Sequence, residues 1–328
     1  MGGKKINLLS LPVLSVVFLM GYVYCTTVFV FLQDWVALNS SLGLTNAIIF
    51  SFLAFMCLIA FFASVFNLLS LPVLSVVFLM GYVYCTTVFV FLQDWVALNS
   101  SLGLTNAIIF SFLAFMCLIA FFASVFIDPG GVPSSFAPEM ENPQTKKGKS
   151  QYCDKCCAYK PPQTHHCRVC RRCVLKMDHH CSWIGNCVGY ANYKSFISCI
   201  FYGSVASIYS AVIFFCDTLH REHGFRSIAL KLFNVLSGLA LIVLTITISS
   251  LFVWHIYLLS KNLTTIEYRE AARAAWLAKK CGQNYRHPFD LGVYSNLKSI
   301  LGSNLLKWFC PLAIGNVKDG TQFPISND

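Results

Sequence analysis

Long apolar runs with very few charges limit what this chain can fold into. No charged side chain occurs between Asp34 and Asp94. Apolar stretches extend over roughly 9–32, 44–66, 69–92, 104–126, 196–216 and 232–259. Each reaches the ~20 residues with which an α-helix crosses a bilayer. Because backbone polar groups in lipid must pair within the chain, we expect six transmembrane helices. Only 12% of the residues are charged, about half the share in soluble domains, which argues against a soluble globule, a coiled coil or a disordered chain.

Two adjacent segments of the N-terminal half are identical. Residues 7–66 and 67–126 agree at all 60 positions. Structural repeats normally diverge in sequence while they keep a pattern. Identity of this degree arises from a very recent tandem duplication or from an error in assembling the sequence, and the residues leave both explanations open.

The distribution of Lys and Arg predicts the orientation. The N-terminal tip carries two of the 24 Lys and Arg residues, segment 127–194 carries ten and the tail from residue 260 carries nine. Because cytosolic segments are enriched in these residues, the N-terminus, segment 127–194 and the tail are predicted to be cytosolic. The net charge of +10 is explained by this bias and by attraction to anionic lipid. We therefore expect the lipid bilayer, and no nucleic acid, as a partner.

Eight of the 16 cysteines and four of the eight histidines lie within residues 153–187. They form two series of equal spacing, Cys153-x2-Cys156-x9-His166-x6-Cys173 and Cys167-x2-Cys170-x9-His180-x6-Cys187. Each series supplies three Cys and one His, a closed tetrahedral set that is typical of structural zinc. Such clusters are typical of a reducing compartment, where disulfides are rare. Because the series interleave, we predict two linked zinc knuckles with little regular structure.

One cysteine of this stretch has the surroundings of a nucleophile. The cysteines and histidines outside the two zinc series are Cys157, His165, His179 and Cys181. Cys181 directly follows Asp178-His179-His180, and a Cys beside a His that a carboxylate orients is an activated arrangement. We predict Cys181 as the nucleophile, His179 as the base and Asp178 as the group that orients the base. The alternative is that Cys181 is merely one more cysteine of this stretch and His179 a surface residue.

These features predict an α-helical polytopic membrane protein with a small cytosolic two-zinc cysteine-rich domain of little regular structure. The expected order is a transmembrane hairpin at 1–66, its copy at 67–126, the zinc domain at 127–193, a transmembrane pair at 194–260 and a cytosolic segment at 261–328. In the last segment, Ala-rich 269–280 is expected to be helical. Apolar residues at helical spacing over 297–309 predict a face that lies on the membrane or docks against the spans.

Residues 153–187 resemble the cysteine-rich domain of the DHHC-type protein S-acyltransferases (palmitoyltransferases). The amino-acid sequence of residues 151–193 most resembles that of plant members. All eight zinc positions and Asp178-His179-His180-Cys181 match that family's pattern. Three outlying motifs match as well: Asp128-Pro129-Gly130, Thr264-Thr265-Ile266-Glu267, and the pair Tyr294 and Asn296. The resemblance covers about 127–310.

The sequence departs from the family pattern at several points. Ser182 follows the signature cysteine where the family usually has Pro, and Gln163 and Thr164 stand where basic residues often precede the first HHC. The family's common plan has two spans on each side of the zinc loop, whereas the duplication places four before it. Removing either copy restores the family plan.

The resemblance implies a two-step transfer through an acyl-enzyme thioester. Cys181 would take a long-chain acyl group from acyl-CoA, such as palmitoyl-CoA, and pass it to cysteine thiols of substrate proteins with ping-pong kinetics. Two structural Zn²⁺ ions would hold the loop. The resemblance also implies that Thr264 or Thr265 packs near Asp178 and that Asn296 ties the tail to the span ends, with Asp128 and Glu267 as further supporting residues.

Several expectations concern the partners, the location and the alternatives. Three basic residues are predicted to attract CoA phosphates or, equally, to form a solvated face that meets lipid head groups: Arg171, Arg172 and Lys176. The substrates would be membrane-associated proteins with cytosolic cysteines. An endomembrane location (Golgi or ER) is expected, with the plasma membrane as the alternative. The alternative function is a catalytically impaired, zinc-dependent membrane scaffold or adaptor. A transporter is disfavoured, because the N-terminal spans hold no ionisable residue.

Overall fold

The computed structural model describes residues 70–137, 151–220, 228–312 and 320–326. The hairpin predicted at 1–66, with its two spans, lies outside the described residues. Four described helices are long and apolar enough to cross a membrane: Leu71–Val96, Ser101–Phe126, Tyr193–His220 and Lys231–Ser260. They correspond to the other four predicted spans, and they mark the chain as a multi-pass membrane protein.

The described elements alternate long helices with one cluster of very short strands. The helices are α1 (Leu71–Cys85), α2 (Gln93–Val96), α3 (Ser101–Phe126), α4 (Tyr193–His220), α5 (Ile228–Ser260), α6 (Thr265–Lys280) and α7 (Val293–Leu301). A π-helical segment joins α1 to α2 at Thr86–Leu92, and a 3₁₀ helix follows α7 at Leu305–Phe309. The strands are β1 (Gln151–Cys153), β2 (Ala158–Lys160), β3 (His165–Cys167), β4 (Arg172–Val174), β5 (His179–Cys181) and β6 (Asn186–Val188).

The strands form three separate antiparallel hairpins: β1 with β2, β3 with β4, and β5 with β6. Each strand has only three residues, too few to form a core of their own. The prediction of a domain with little regular structure is confirmed.

The described residues divide into two compact units. The first holds 70–114 with 206–244, and the second holds 115–205 with 245–326, within the gaps stated above. In the first unit, Phe91 and Phe214 pack edge to face with ring centroids 5.1 Å apart. The Thr87 and Ser210 hydroxyls of the same unit share a buried hydrogen bond of 2.6 Å. The second unit contains every predicted zinc and catalytic residue.

The C-terminal segment combines one confirmed helix with one interrupted helix. The helix predicted over 269–280 is observed as part of α6. A reciprocal capping box formed by Thr264 and Glu267 stabilises the start of this helix. The segment 297–309, where apolar residues recur at helical spacing, is divided between α7, which ends at Leu301 with Gly302 (φ 96°) as its C-cap, and the 3₁₀ helix Leu305–Phe309. The predicted docking against a span is observed. Lys194 Nζ at the start of α4 donates to the carbonyls of Leu301 (3.0 Å) and Lys307 (2.8 Å).

Candidate functional site

Both predicted zinc sets come together in the fold. In each set the four ligand atoms lie within 4.8 Å of one another. His166 Nδ1 lies 3.2 Å from Cys156 Sγ, and His180 Nδ1 lies 3.4 Å from Cys170 Sγ. Separations of this size suit ligands that sit about 2.0–2.3 Å from one shared zinc ion. The donor sets are Cys153, Cys156, His166 and Cys173, and Cys167, Cys170, His180 and Cys187. The residues present therefore fit two zinc ions.

The hairpins explain how the two sets interleave. His166 lies opposite Cys173 in β3–β4, and His180 lies opposite Cys187 in β5–β6. Each cross-strand pair supplies half of one zinc set. The cysteines that end the first strands of the first two hairpins, Cys153 and Cys167, each begin one zinc set. This is how Cys167, at the end of β3, becomes a ligand of the second set.

The same backbone turn occurs three times at intervals of 14 residues. It follows the last residue of β1, β3 and β5, which are Cys153, Cys167 and Cys181. Four residues after each of these cysteines the backbone has a positive φ: Cys157 (50°), Arg171 (53°) and Gly185 (61°). In every case two backbone N–H groups of the turn donate to the cysteine sulfur. Cys181 thus stands in the geometry of a zinc ligand.

The third turn, which begins at Cys181, does not contribute to a zinc set. The residues 14 positions after Cys170, His180 and Cys187 are Ile184, Lys194 and Phe201. These side chains do not form a metal site with Cys181, and within the described part of the chain only the two sets above have metal-site geometry. The knuckle architecture therefore leaves the Cys181 thiol available for chemistry.

A hydrogen-bonded chain of side chains leads to this thiol. Asp178 is 1% exposed, and its Oδ2 lies 2.6 Å from His179 Nδ1. Thr265 holds the same carboxylate from the start of α6: its N–H donates to Oδ1 and its hydroxyl to Oδ2, both at 2.8 Å. His179 is hydrogen-bonded to Cys181 in turn. With Nδ1 engaged by Asp178, Nε2 is the ring nitrogen left for the thiol.

The three groups shift one another's proton affinities. Burial is the largest single influence and raises the pKa of the Asp178 carboxyl, but the hydrogen bond and charge of His179, the charge of His255 and the Thr265 N–H together leave the pKa below its ordinary value. Burial lowers the pKa of His179, whereas the hydrogen bonds to Asp178 and Cys181 raise it to about 9. Burial raises the pKa of the Cys181 thiol, but His179 and the backbone N–H groups of Ile184 and Trp183 together leave it below its ordinary value. The arrangement favours a thiolate beside an imidazolium, the reactive form of a cysteine.

The supporting residues of the sequence motifs hold the hydrogen-bonded side chains of Asp178, His179 and Cys181 in place. Gln163 Nε2 donates to Glu267 Oε1 at 2.9 Å, which links the first zinc segment to the cap of α6. Thr265, rather than Thr264, contacts Asp178; Thr264 caps the helix. Asn296 is buried and donates to the Ser260 carbonyl at the end of α5 at 2.9 Å.

The predicted phosphate contacts differ in their surroundings. Arg171 is exposed, and Arg172 forms an ion pair of 2.8 Å with Asp128. The structure contradicts the prediction for Lys176, which is only 7% exposed. Its ammonium donates to Asn262 Oδ1 at 2.6 Å and lies 5.4 Å from the centre of the Phe323 ring. A cation enclosed in this way does not reach a phosphate in solvent.

Sequence reasoning missed the residue that fixes the β5–β6 hairpin to a span. Asn186 Nδ2 lies within hydrogen-bond distance of the carbonyls of Ser124, Val125 and Ile127, at 3.0–3.3 Å. These carbonyls belong to the end of α3, where an α-helix leaves acceptors without partners. The nearby Asn192 Nδ2 adds a contact of 3.3 Å to the Ser124 carbonyl. Asn186 follows the signature by only a few residues, but nothing in its own identity indicates a helix-capping role.

Comparison with known proteins decides the family. A family model described as DHHC palmitoyltransferase matches residues 146–272. The protein named "Probable protein S-acyltransferase 15" of Arabidopsis thaliana is 52% identical over 253 residues, which cover 76% of this chain and 100% of that protein. The chain belongs to the DHHC palmitoyltransferase family. The Arabidopsis protein named "Probable protein S-acyltransferase 16" is 44% identical over 270 residues, covering 79% of this chain and 94% of that protein. Human palmitoyltransferase ZDHHC3 is 32% identical over 207 residues, which cover 58% of this chain and 68% of that protein.

Family membership confirms the resemblance that the motifs carried. This DHHC protein is a palmitoyltransferase, as the sequence predicted. The signature cysteine and both zinc sets lie inside the matched segment.

Proposed function

We propose that Cys181 carries the acyl group as a covalent thioester between acyl-CoA and the thiols of substrate proteins. The observation that carries this proposal is the chain Asp178–His179–Cys181, which ends on a sulfur outside both zinc sets. His179 lies where it can take the thiol proton, and Asp178 is held by Thr265 where it can orient the imidazole. Palmitoyl-CoA is the proposed donor.

In the first step the Cys181 sulfur attacks the carbonyl carbon of the acyl-CoA thioester. A carbon–sulfur bond to Cys181 forms, and the bond to the CoA sulfur breaks. The proton that His179 accepts from Cys181 passes to the departing CoA thiolate. In the second step a substrate cysteine attacks the Cys181 thioester, His179 accepts its proton, and the proton returns to the departing Cys181 sulfur. This relay uses no oxidant and predicts ping-pong kinetics.

The zinc ions have a structural role in this proposal. The four-ligand sets Cys153/Cys156/His166/Cys173 and Cys167/Cys170/His180/Cys187 leave no open coordination position. Zinc bound there would fold the knuckles and so fix the β5–β6 hairpin that bears Cys181.

The topology and the location follow from the charges and the family plan. We place the N-terminus, the DHHC cysteine-rich zinc domain at 127–193 and the segment at 261–328 in the cytosol, with the transmembrane pair at 194–260 between them. The duplicated hairpins at 1–66 and 67–126 leave these sides unchanged, because each adds two crossings. The membrane is an endomembrane (Golgi or ER), with the plasma membrane as the alternative. Arg171 remains available for CoA phosphates, whereas Lys176 does not.

The proposal is tested by labelling the full chain with a clickable palmitoyl-CoA analogue. We expect one hydroxylamine-labile label on Cys181, and we expect Cys181→Ser to lose both the label and the transfer to a cysteine-containing substrate. Cys157→Ser is the matched control, because Cys157 is exposed on the first of the three turns and belongs to neither zinc set. Full labelling and transfer by Cys181→Ser would refute the proposal. Intact zinc sets without any acylation would favour a scaffold instead.

A further inference from the structure

A second histidine lies beside the proposed base. His255 of α5 is 2% exposed, and its ring centroid lies 6.1 Å from that of His179. Phe196 of α4 packs edge to face on both rings, at 5.5 Å from His179 and 5.1 Å from His255. His255 therefore packs behind the proposed base together with Phe196.

A hydrogen bond holds His255 in this position. Its Nδ1 lies 3.2 Å from the hydroxyl of Tyr193, the first residue of α4. Tyr193 is itself only 7% exposed, and a buried hydroxyl without a partner is costly. An apolar ring at position 255 could fill the space but would leave the Tyr193 hydroxyl without this hydrogen-bond partner. The pair thus links α5 to α4 directly behind the His179 ring.

The His179 ring needs such support. Its Nδ1 contact with Asp178 fixes one ring atom but still permits the ring to rotate about that contact. Rotation moves Nε2 away from Cys181. Phe196 and His255 occupy the space that such rotation would use, while the His179 side chain keeps 31% of its surface exposed. Catalytic groups lose efficiency when their geometry relaxes by about 0.5 Å or 10–20°.

We infer that His255, held by Tyr193, is a positioning residue that keeps the His179 imidazole aimed at the Cys181 thiol. This inference rests on the proposed roles of Cys181 and His179. His255 touches neither acyl donor nor thiol in this account, and it acts only through the ring of His179. The pair should therefore govern the rate of acylation rather than the affinity for acyl-CoA.

The test measures single-turnover acylation of the purified full chain across a series of palmitoyl-CoA concentrations. His255→Ala should lower the maximal rate by roughly 10- to 100-fold, the range that a small misplacement costs. The half-saturating concentration and the zinc content should stay at the wild-type values. His255→Phe and Tyr193→Phe should each show a smaller loss. Since both remove the same hydrogen bond, the double variant should be no slower than the slower single variant.

The control and the contrary outcomes are defined by the same assay. Tyr257→Phe removes a hydroxyl from a half-exposed tyrosine of α5 and should acylate at the wild-type rate. Tyr193→Phe carries the test if His255→Ala does not fold. Wild-type acylation rates in His255→Ala and Tyr193→Phe would overturn this inference. If Cys181→Ser carries no label in the same assay, the proposed function stands. A raised half-saturating concentration at an unchanged maximal rate would also overturn it. Full labelling of Cys181→Ser would instead refute the proposed function itself.

Discussion

The hydroxyl of Thr265 provides the sharpest test of how Asp178 is held. Thr265→Val keeps the shape of the side chain and the backbone N–H bond to Oδ1, but it removes the 2.8 Å hydroxyl bond to Oδ2. That oxygen also accepts the bond from His179. A hydrogen bond to a charged group contributes about 1.5–3 kcal/mol. Because two donors to Asp178 remain, we take the lower end of this range.

A loss of about 1.4 kcal/mol in the transition state corresponds to roughly a tenfold slower reaction. We therefore expect Thr265→Val to acylate Cys181 about tenfold more slowly in a single-turnover assay with palmitoyl-CoA. Thr265→Ser is the control, since it restores the hydroxyl without the methyl group, and it should stay close to the wild-type rate. A wild-type rate in Thr265→Val would show that the hydroxyl does not hold Asp178. Equal losses in the two variants would show that the effect is not specific to the hydroxyl.

Three further predictions address the metal, the buried lysine and the hairpin clamp. Removal of zinc by a chelator should abolish acylation and open residues 151–190 to protease, because metal binding and folding are coupled in such knuckles. A wild-type acylation rate in protein that metal analysis shows to be free of zinc would contradict this prediction. Burial lowers the pKa of Lys176 to about 8, although Glu267 and Asp178 oppose the shift. The unfolded chain has a lysine pKa of about 10.4 and so binds more protons between these values, and the free energy of unfolding should rise with pH there. Lys176→Met should flatten this slope in thermal unfolding across roughly pH 7–10, and an unchanged slope would show that Lys176 is not its source. Asn186→Ala should lower the free energy of unfolding by about 1–3 kcal/mol, and Asn186→Asp should lower it further by setting a carboxylate against the α3 carbonyls; thermal stability equal to wild type in both would refute the clamp.

The metal sets and the free cysteine could be predicted because their information is local. Because the knuckle turn fixes the ligand spacing, two matching series predicted all eight ligands and left Cys157 and Cys181 outside them, of which only Cys181 follows an Asp-His-His sequence. A repeat of 14 residues that lacks ligands at Ile184, Lys194 and Phe201 is also present in the sequence. It would have strengthened the prediction, but its meaning depends on the turn geometry that the structure shows.

The supporting contacts could not be predicted because they join residues far apart in the chain. The bond from Asn186 reaches back about sixty positions to the end of α3, and the bond from Tyr193 to His255 spans a similar separation. Lys176 was assigned to solvent from its charge alone. The sequence carries no sign that Asn262 and Phe323 enclose it. The charge of a side chain can be read from its residue type, whereas its burial depends on how elements far apart in the sequence pack together.

The register of the last hairpin has a consequence for the position of the reaction. Cys181 pairs directly with Asn186, so the reactive sulfur lies about one strand spacing, roughly 5 Å, from the residue that grips the final turn of α3. The helix thus acts as a ruler for the thiol. Deleting one helical turn there would shift the hairpin, and the sulfur with it, by about 5.4 Å along the helix axis. The length of α3 then sets where along that axis the Cys181 thiol lies.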